Sequence, residues 1–341
     1  MPRQLTLAAI RMDAAPAPVA SRLERAEGLV SRAAQQGAQL ASLPELFNTG
    51  YEYSQQNYQL AESLDGKTVQ WMKHTARTHH IYVTGSFLLR ESDGIYNTML
   101  VVAPEGKAWR YDKSHPWAWE RAYFRPRKTP IQPAETELGK IGMLICADVV
   151  RTHLWAQYAG KVDLMLANSC PPRFYQFDFH LPGNRVVSSK ELGFLLKTAY
   201  RDMEKAFGEF FLNQARWLGV PSVNTTGAGL FRSGLPRPKM SLAILFSLRP
   251  DLWKFISRAG EVTVSAEYFD ETFVADANGN KLAQTNLNAD DLVVSTVQLA
   301  DSTPHPQVSQ PAYGINPLAY PLDDSSNALM AAYYNQHWQD R

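Results

Sequence analysis

The chain has 341 residues, 45% hydrophobic and 20% charged, enough apolar material for a sizeable core in a soluble globular protein. Its 34 Lys and Arg are balanced by 33 Asp and Glu, which leaves no overall positive field for nucleic acid. Two cysteines, Cys146 and Cys170, are too few for a disulfide framework or a zinc ribbon, so a reducing, cytoplasmic setting is expected.

The opening MPRQLTLAAIRMD runs directly into a strand-like segment and lacks the apolar core and cleavage site of a secretory leader. LTLAAI reads as a strand, Val19 to Gln36 as a helix stopped by Gly37, and AQLASLPE as the next strand, ending on Glu45. A helix near Thr68 to His79 precedes three strands, IYVTGSFLLR, YNTMLVVAP and KAWRYDK, joined by DG and EG turns. Lys113 ends the third. In GKIGMLICADVV, Ile141, Met143 and Ile145 alternate with Gly142, Leu144 and Cys146; both sets are apolar or small, the pattern of a strand buried on both faces. A helix from Thr152 to Ala159, the strand VDLMLANS, a helix from Asp202 to Leu218, the strand GVPSVNTTG, the hairpin FVADANGNKLAQT and the strand DLVVSTVQL follow. This alternation to residue 300 predicts an α/β fold. The tail, 301–341, carries Tyr313, Tyr320, Tyr333, Tyr334 and Trp338, too many large side chains to leave in water, which predicts that it packs on a partner subunit of a homodimer.

A cysteine at the C-terminal end of a buried strand stands where α/β sheets meet their ligands, although alone it reads as a small core residue. Glu45 in SLPELFNTGY and Lys113 in YDKSHPWAWERAYF also stand at strand ends, and the order is Glu, Lys, Cys. With PELF around Glu45, K-x-H at Lys113 and Asp148 two places after Cys146, the set resembles the nitrilase or carbon–nitrogen hydrolase superfamily. YNTMLVVAPEGKAWRYDK, GVPSVNTTG and FVADANGNKLA are similar to that superfamily's hairpin before the lysine, its later strand and its later hairpin, so the resemblance covers most of residues 4–300. It implies a four-layer α-β-β-α sandwich and one hydrolase domain over 1–300, with no metal and no cofactor.

The three residue types complement one another. A thiol of ordinary pKa, ~8.5, needs a base to become a nucleophile, and Glu45 is that base. Attack on an amide carbonyl creates an oxyanion, which the Lys113 ammonium and the Ala147 backbone N–H can stabilise by ~3 kcal/mol per donor. Glu45 can then protonate the departing amine and activate water against the thioester. The resemblance adds Glu120, in WERAYFRP, as a second glutamate that positions substrate and orients the lysine; by itself it reads as a loop carboxylate pairing with Arg121 or Arg125. Trp117 and Trp119 read as the mouth of the pocket or as dimer-core aromatics, Cys170 as a substrate contact or inert packing, and His115 as a structural hydrogen-bonder.

True nitrilases follow the cysteine with Trp and Glu, so Ala147 and Asp148 favour amides over nitriles. The expected activity is amide hydrolysis through a cysteine thioester; alternatives are N-acyl transfer or nitrile hydrolysis with the same triad, or a catalytically silent scaffold. RPRKTP and NSCPPRFYQF depart from the superfamily's pattern, and two stretches, 171–199 and 232–270, read as insertions that choose substrate. Within the second, Leu242, Leu245, Phe246, Leu252, Trp253 and Ile256 recur at spacings near three and four, predicting a helix with an apolar stripe, broken or restarted at Pro250. With its basic flank, 240–258 reads as a pocket lid, a dimer-packing helix or a peripheral contact with the inner face of a membrane. The last reading favours lipid-like amides; the others favour small soluble ones.

Overall fold

The computed structural model describes residues 3–127, 130–193, 198, 202–312 and 315–339. Alternation along the first strand, Arg3–Asp13, sets the layers: Leu5, Leu7 and Ala9 point one way, Ala8, Ile10 and Met12 the other, and all are buried. The second set packs with Leu23, Ala26 and Val30 of the helix Val19–Gln35 and with Val69, Met72 and Ala76 of the helix Lys67–His79. The first set shares a core with Met99 and Val101 and with Ile141, Met143 and Leu166 of a second sheet. That core continues into Leu154 and Trp155 of the helix Thr152–Tyr158 and Phe211, Ala215 and Leu218 of the helix Phe211–Leu218. The result is the four-layer α-β-β-α sandwich that the resemblance implies.

Among the described residues the first sheet has seven strands, in the order Gly227–Ala228, Arg3–Asp13, Leu40–Ser42, Tyr82–Glu91, Gly94–Val102 and Ala108–Asp112, with Asp291–Leu299 also against the first strand. Its middle is parallel (Leu7 opposite Leu40, Leu40 opposite Tyr82) and its hairpin edge antiparallel. The second sheet has six, in the order Lys281–Gln284, Phe273–Ala275, Ser222–Thr225, Leu164–Asn168, Gly139–Ile145 and Ala134–Thr136. GVPSVNTTG therefore serves both sheets, leaving the second at Thr225 and joining the first at Gly227.

The two stretches read as insertions meet in a third, four-stranded antiparallel sheet, Arg185–Ser188, Asp178–Leu181, Thr263–Glu267 and Leu230–Ser233; residues 194–197 and 199–201 lie outside the described residues. Residues 240–258 form a helix, Pro238–Leu245, and a 3₁₀ segment, Pro250–Glu261, that restarts at Pro250. Leu242, Phe246 and Leu252 of the stripe are buried in one cluster with Phe179, Val187 and Phe231 of the third sheet, Leu245 and Ile256 are partly buried against it, and Trp253 is 53% exposed. Among the described residues no helix is long and apolar enough to cross a membrane.

Two readings shift in detail. AQLASLPE is a strand only over Leu40–Ser42, because Pro44 has no N–H for the ladder and the chain turns there. Asp202 to Leu218 is not one α-helix: Met203–Lys205 is 3₁₀, Ala206–Phe210 a π turn and Phe211–Leu218 α-helical. The cause lies outside the segment, since the Asn224 side-chain amide donates to the Phe207 carbonyl (3.1 Å) and diverts an acceptor from the helical ladder. In the tail, the helix Ala319–Gln339 packs on the turn Ala118–Ala122 of its own chain. Ile95 N–H donates to Tyr334 Oη (2.8 Å), Tyr320 Oη donates to Val150 O (2.6 Å), and buried Asp323 accepts from Ala118 N–H (2.5 Å) and pairs with Arg151 (3.0 Å). Tyr313 lies outside the described residues.

Two outcomes follow from this packing. Leu252→Ala should lower unfolding stability by about 2–5 kcal/mol, as large-to-small core changes do, while the neighbouring Trp253→Ala should cost about 1 kcal/mol or less in the same urea titration. Burial, opposed by Ala118 N–H, Arg151 and Arg121, pushes the Asp323 carboxyl up to about 6. A carboxyl that holds its proton more tightly folded than unfolded makes stability fall as pH rises from about 4 to about 6. Asp323→Asn should remove that slope, so that the stability difference between the two proteins changes by roughly 3 kcal/mol across the window; a difference that stays flat contradicts the assignment.

Candidate active site

Cys146 ends the buried strand Gly139–Ile145 and opens the 3₁₀ turn Cys146–Val150. Its φ of 46° is left-handed, a conformation that costs a non-glycine residue about 1–3 kcal/mol and persists only where the surroundings enforce it. Asp148 supplies that enforcement. Its fully buried carboxylate accepts from Ser114 N–H (3.0 Å), His115 N–H (2.7 Å) and Tyr111 Oη (2.7 Å), tying the cysteine turn to the chain leaving Lys113.

Lys113 closes the hairpin strand Ala108–Asp112, and its side chain is fully buried. Its Nζ lies 2.8 Å from Glu45 Oε1 and 2.8 and 2.7 Å from the two Glu120 oxygens. Glu45 Oε1 also accepts from Asn97 Nδ2 (2.7 Å), and Oε2 from Cys170 N–H (2.9 Å). The buried Cys146 thiol stands beside Glu45 and interacts with it. Glu120 accepts from Tyr51 Oη (2.6 Å) and Trp117 N–H (2.6 Å).

The electrostatics follow from burial. Glu45 sits above the usual carboxylate range because it is desolvated and faces Glu120, and Lys113 only partly offsets this. Burial alone would lower Lys113, but Glu120 and Glu45 outweigh it and hold the ammonium charged. Burial and the facing Glu45 push the Cys146 thiol well up, against Lys113, so the resting sulfur keeps its proton. The site can therefore move one proton between sulfur and carboxylate beside a fixed ammonium.

The structure thus brings Glu45, Lys113, Cys146 and Glu120 together, and Trp117 and Ala147 line the narrow cleft over Cys146. Trp119 stands apart from that lining, stacked on Phe177 (6.2 Å) and edge-on to Tyr53 (5.6 Å). Cys170 meets the site through its amide, while its buried thiol lies against Gly227. The His115 ring lies against Asp148 (Nδ1–Oδ1 3.3 Å) and His153. Among the described residues no His, Cys, Asp or Glu cluster is arranged to hold a metal.

Sequence reasoning missed Asn97, Tyr51, Asp323, Met203 and Phe207, and it used Asp148 only as a spacing. Asn97 had a signal, an amide inside the otherwise apolar YNTMLVV. The others had none, since their partners are far away in the chain.

The family model for carbon–nitrogen hydrolases matches residues 6–183, more than half of the chain. A nitrilase from Pyrococcus abyssi is 32% identical over 127 residues, covering 36% of this chain and 48% of the relative. An omega-amidase from Danio rerio is 33% identical over 159 residues, covering 42% and 54%; the chain spans about half the length of these relatives. In structure, a mutant of the amidase from Nesterenkonia sp. AN1, with acrylamide added at its active-site cysteine, superposes with a TM-score of 0.61 over 85% of this chain and 92% of that one, at 18% identity. The match of the family model, on a chain folded as this sandwich, means that the protein belongs to the carbon–nitrogen hydrolase family.

Proposed function

We propose that the protein hydrolyses the C–N bond of an amide through a thioester on Cys146. The observation that carries this reading is a buried cysteine, glutamate and lysine brought to one place, the Cys146 thiol interacting with Glu45 while Lys113 bridges that carboxylate to Glu120. Glu45 takes the thiol proton as sulfur attacks the carbonyl carbon; the S–C bond forms and the carbonyl electron pair moves to oxygen. Lys113 Nζ and the Ala147 N–H, in the first turn of the 3₁₀ segment, stabilise that oxyanion. The C–N bond breaks as Glu45 returns the proton to the leaving nitrogen. Water then donates a proton to Glu45 and attacks the thioester, and collapse expels the sulfur, which recovers its proton.

Glu120 keeps the ammonium charged and aimed, and the Asn97 and Cys170 donors fix the Glu45 carboxylate, so little reorganisation accompanies the proton transfers. The amidases among the relatives support the amide reading.

Cys146→Ala should lower turnover by about 10⁴-fold or more, and Glu45→Gln by a similar amount, because residues that act as a unit fail together. Intact mass should show an acyl adduct on wild type during turnover and none on Cys146→Ala. Survival of more than a few per cent of activity in either variant rules out this assignment. Since Glu45 must be ionised to act and its carboxyl is raised by burial, the acid limb of kcat/KM should lie above the ordinary glutamate value of ~4.3. A limb at or below that value in a pH–rate profile would mean that another group is the base.

A further inference from the structure

The tail helix Ala319–Gln339 meets the site with its first turn, where Tyr320 and Asp323, three residues apart, share a face. Tyr320 Oη donates to the Val150 carbonyl (2.6 Å), and its ring lies against the Arg151 guanidinium (4.6 Å to the centroid). Asp323 accepts from Ala118 N–H (2.5 Å) through one oxygen and from Arg151 (3.0 Å) through the other. All of these contacts end on one of two turns. Val150 closes the 3₁₀ turn that Cys146 opens, and Arg151 follows it with its N–H on Asp148 O (3.0 Å). Ala118 opens the turn Ala118–Ala122, which carries Glu120, and its φ of 37° is left-handed. The amides of consecutive residues are thus taken by Glu120, from Trp117 (2.6 Å), and by Asp323, from Ala118. Trp117 and Val150 both line the cleft over Cys146. One turn follows a strand of the first sheet and the other a strand of the second, so the tail ties the sheets from outside as Asp148 does from within.

We propose that Asp323 and Tyr320 are positioning residues for the reaction, a clamp from the tail that fixes the Glu120 turn against the Cys146 turn. This rests on the thioester reading in taking Cys146 as the nucleophile. Neither residue lines the cleft, so both act through the backbone they hold. Glu120 aims Lys113 (2.7 Å), and the ammonium must reach the oxygen of a carbonyl whose carbon is bonding to sulfur. The two turns therefore have to keep their distance, and a misplacement of about 1 Å in such an arrangement costs about 100-fold in rate. The clamp is suited to that task because it is out of water. Asp323 and Arg151 are 1% and 10% exposed, unlike a surface ion pair that opens readily, and breaking the contact leaves a buried charge without its partner. The far end of the same helix is anchored differently: Tyr334 Oη takes the Ile95 N–H (2.8 Å) on the hairpin and touches neither turn. Positioning and simple attachment of the tail are thus separable along one helix.

The test compares Asp323→Ala, Asp323→Asn, Tyr320→Phe and Tyr334→Phe on the straight-chain primary amide that wild type turns over fastest, each variant first shown to be folded by urea titration. Asp323→Ala should lower kcat about 30-fold or more with KM within about threefold, because ground-state binding remains while the groups that act in the transition state lose alignment. Asp323→Asn still offers an oxygen to the Ala118 N–H and should recover kcat about fivefold or more over the alanine variant. Tyr320→Phe keeps the ring and loses the Val150 bond, for a loss of about three- to tenfold. Tyr334→Phe removes a buried hydrogen bond of the same helix and should keep kcat within about twofold even where it lowers stability as much. The inference is overturned if Asp323→Ala keeps kcat within about threefold of wild type, if the asparagine variant is no better than the alanine one, or if Tyr334→Phe loses as much kcat as Asp323→Ala. Intact mass of wild type during turnover keeps the two readings distinct: absence of an acyl adduct removes the thioester mechanism, while the kcat series still decides the clamp.

Discussion

A lysine held between two carboxylates with no access to water is the constraint around which the rest of the molecule is arranged. Lys113, Glu45 and Glu120 are all buried, and the effective penalty for burying each such ion is several kcal/mol. Attraction repays that only when distances are short and every remaining lone pair and N–H is satisfied. The structure meets both conditions: Nζ lies within 2.8 Å of both carboxylates, and Asn97, Cys170, Tyr51 and Trp117 donate to the oxygens. Losing Lys113 would leave two carboxylates buried beside each other, and losing either carboxylate would leave the ammonium with one partner, so the three cannot drift separately.

That requirement explains why the site lies where the two sheets face each other. Glu45 and Lys113 leave strands of the first sheet, Cys146 leaves a strand of the second, and the Cys170 amide follows the neighbouring strand Leu164–Asn168. A slip of one residue in any of these strand pairings would turn the side chains to the opposite face. Asp148 acts across the gap, bonding the amides after Lys113 from the turn that carries Cys146. The distance between sulfur and carboxylate is thus set by sheet packing rather than by a flexible loop, which suits proton transfer between two groups that must stay in contact.

The strands and the positions of Glu45, Lys113 and Cys146 were legible in the sequence because each rests on a local pattern: alternation for the strands, and a strand end followed by a turn for the three residues. The layer order and Glu120 came from the resemblance. What escaped depends on contacts between distant segments. The segments 171–199 and 232–270 could be seen as additional, but nothing local showed that Phe179, Phe231, Leu242 and Leu252 would share one cluster. The run from Asp202 to Leu218 has helical periodicity throughout, and only the remote Asn224 amide makes part of it a π turn. Met203 and Phe207 reach the cleft because of that winding.

Backbone strain follows the same division. Among the described residues, six non-glycine positions have positive φ, and three adjoin the site: Leu46 (50°) after Glu45, Ala118 (37°) two places before Glu120, and Cys146 itself (46°). At about 1–3 kcal/mol each, such conformations survive only when other groups impose them. Here each is imposed by a polar side chain from elsewhere in the chain. Ser86 Oγ accepts the Leu46 N–H (3.0 Å), and buried Arg22 grips the carbonyls of Phe47, Asp13 and Ala15; Asp323 of the tail takes the Ala118 N–H (2.5 Å); Asp148 holds the cysteine turn. The tail is therefore part of the frame of the site, since without Asp323 the turn that presents Trp117 and Glu120 would have no partner for its strained amide. Placing strain beside Glu45, Glu120 and Cys146 and its restraint in distant segments makes the geometry depend on the whole fold, which is why a motif search finds these residues and misses the ones that aim them.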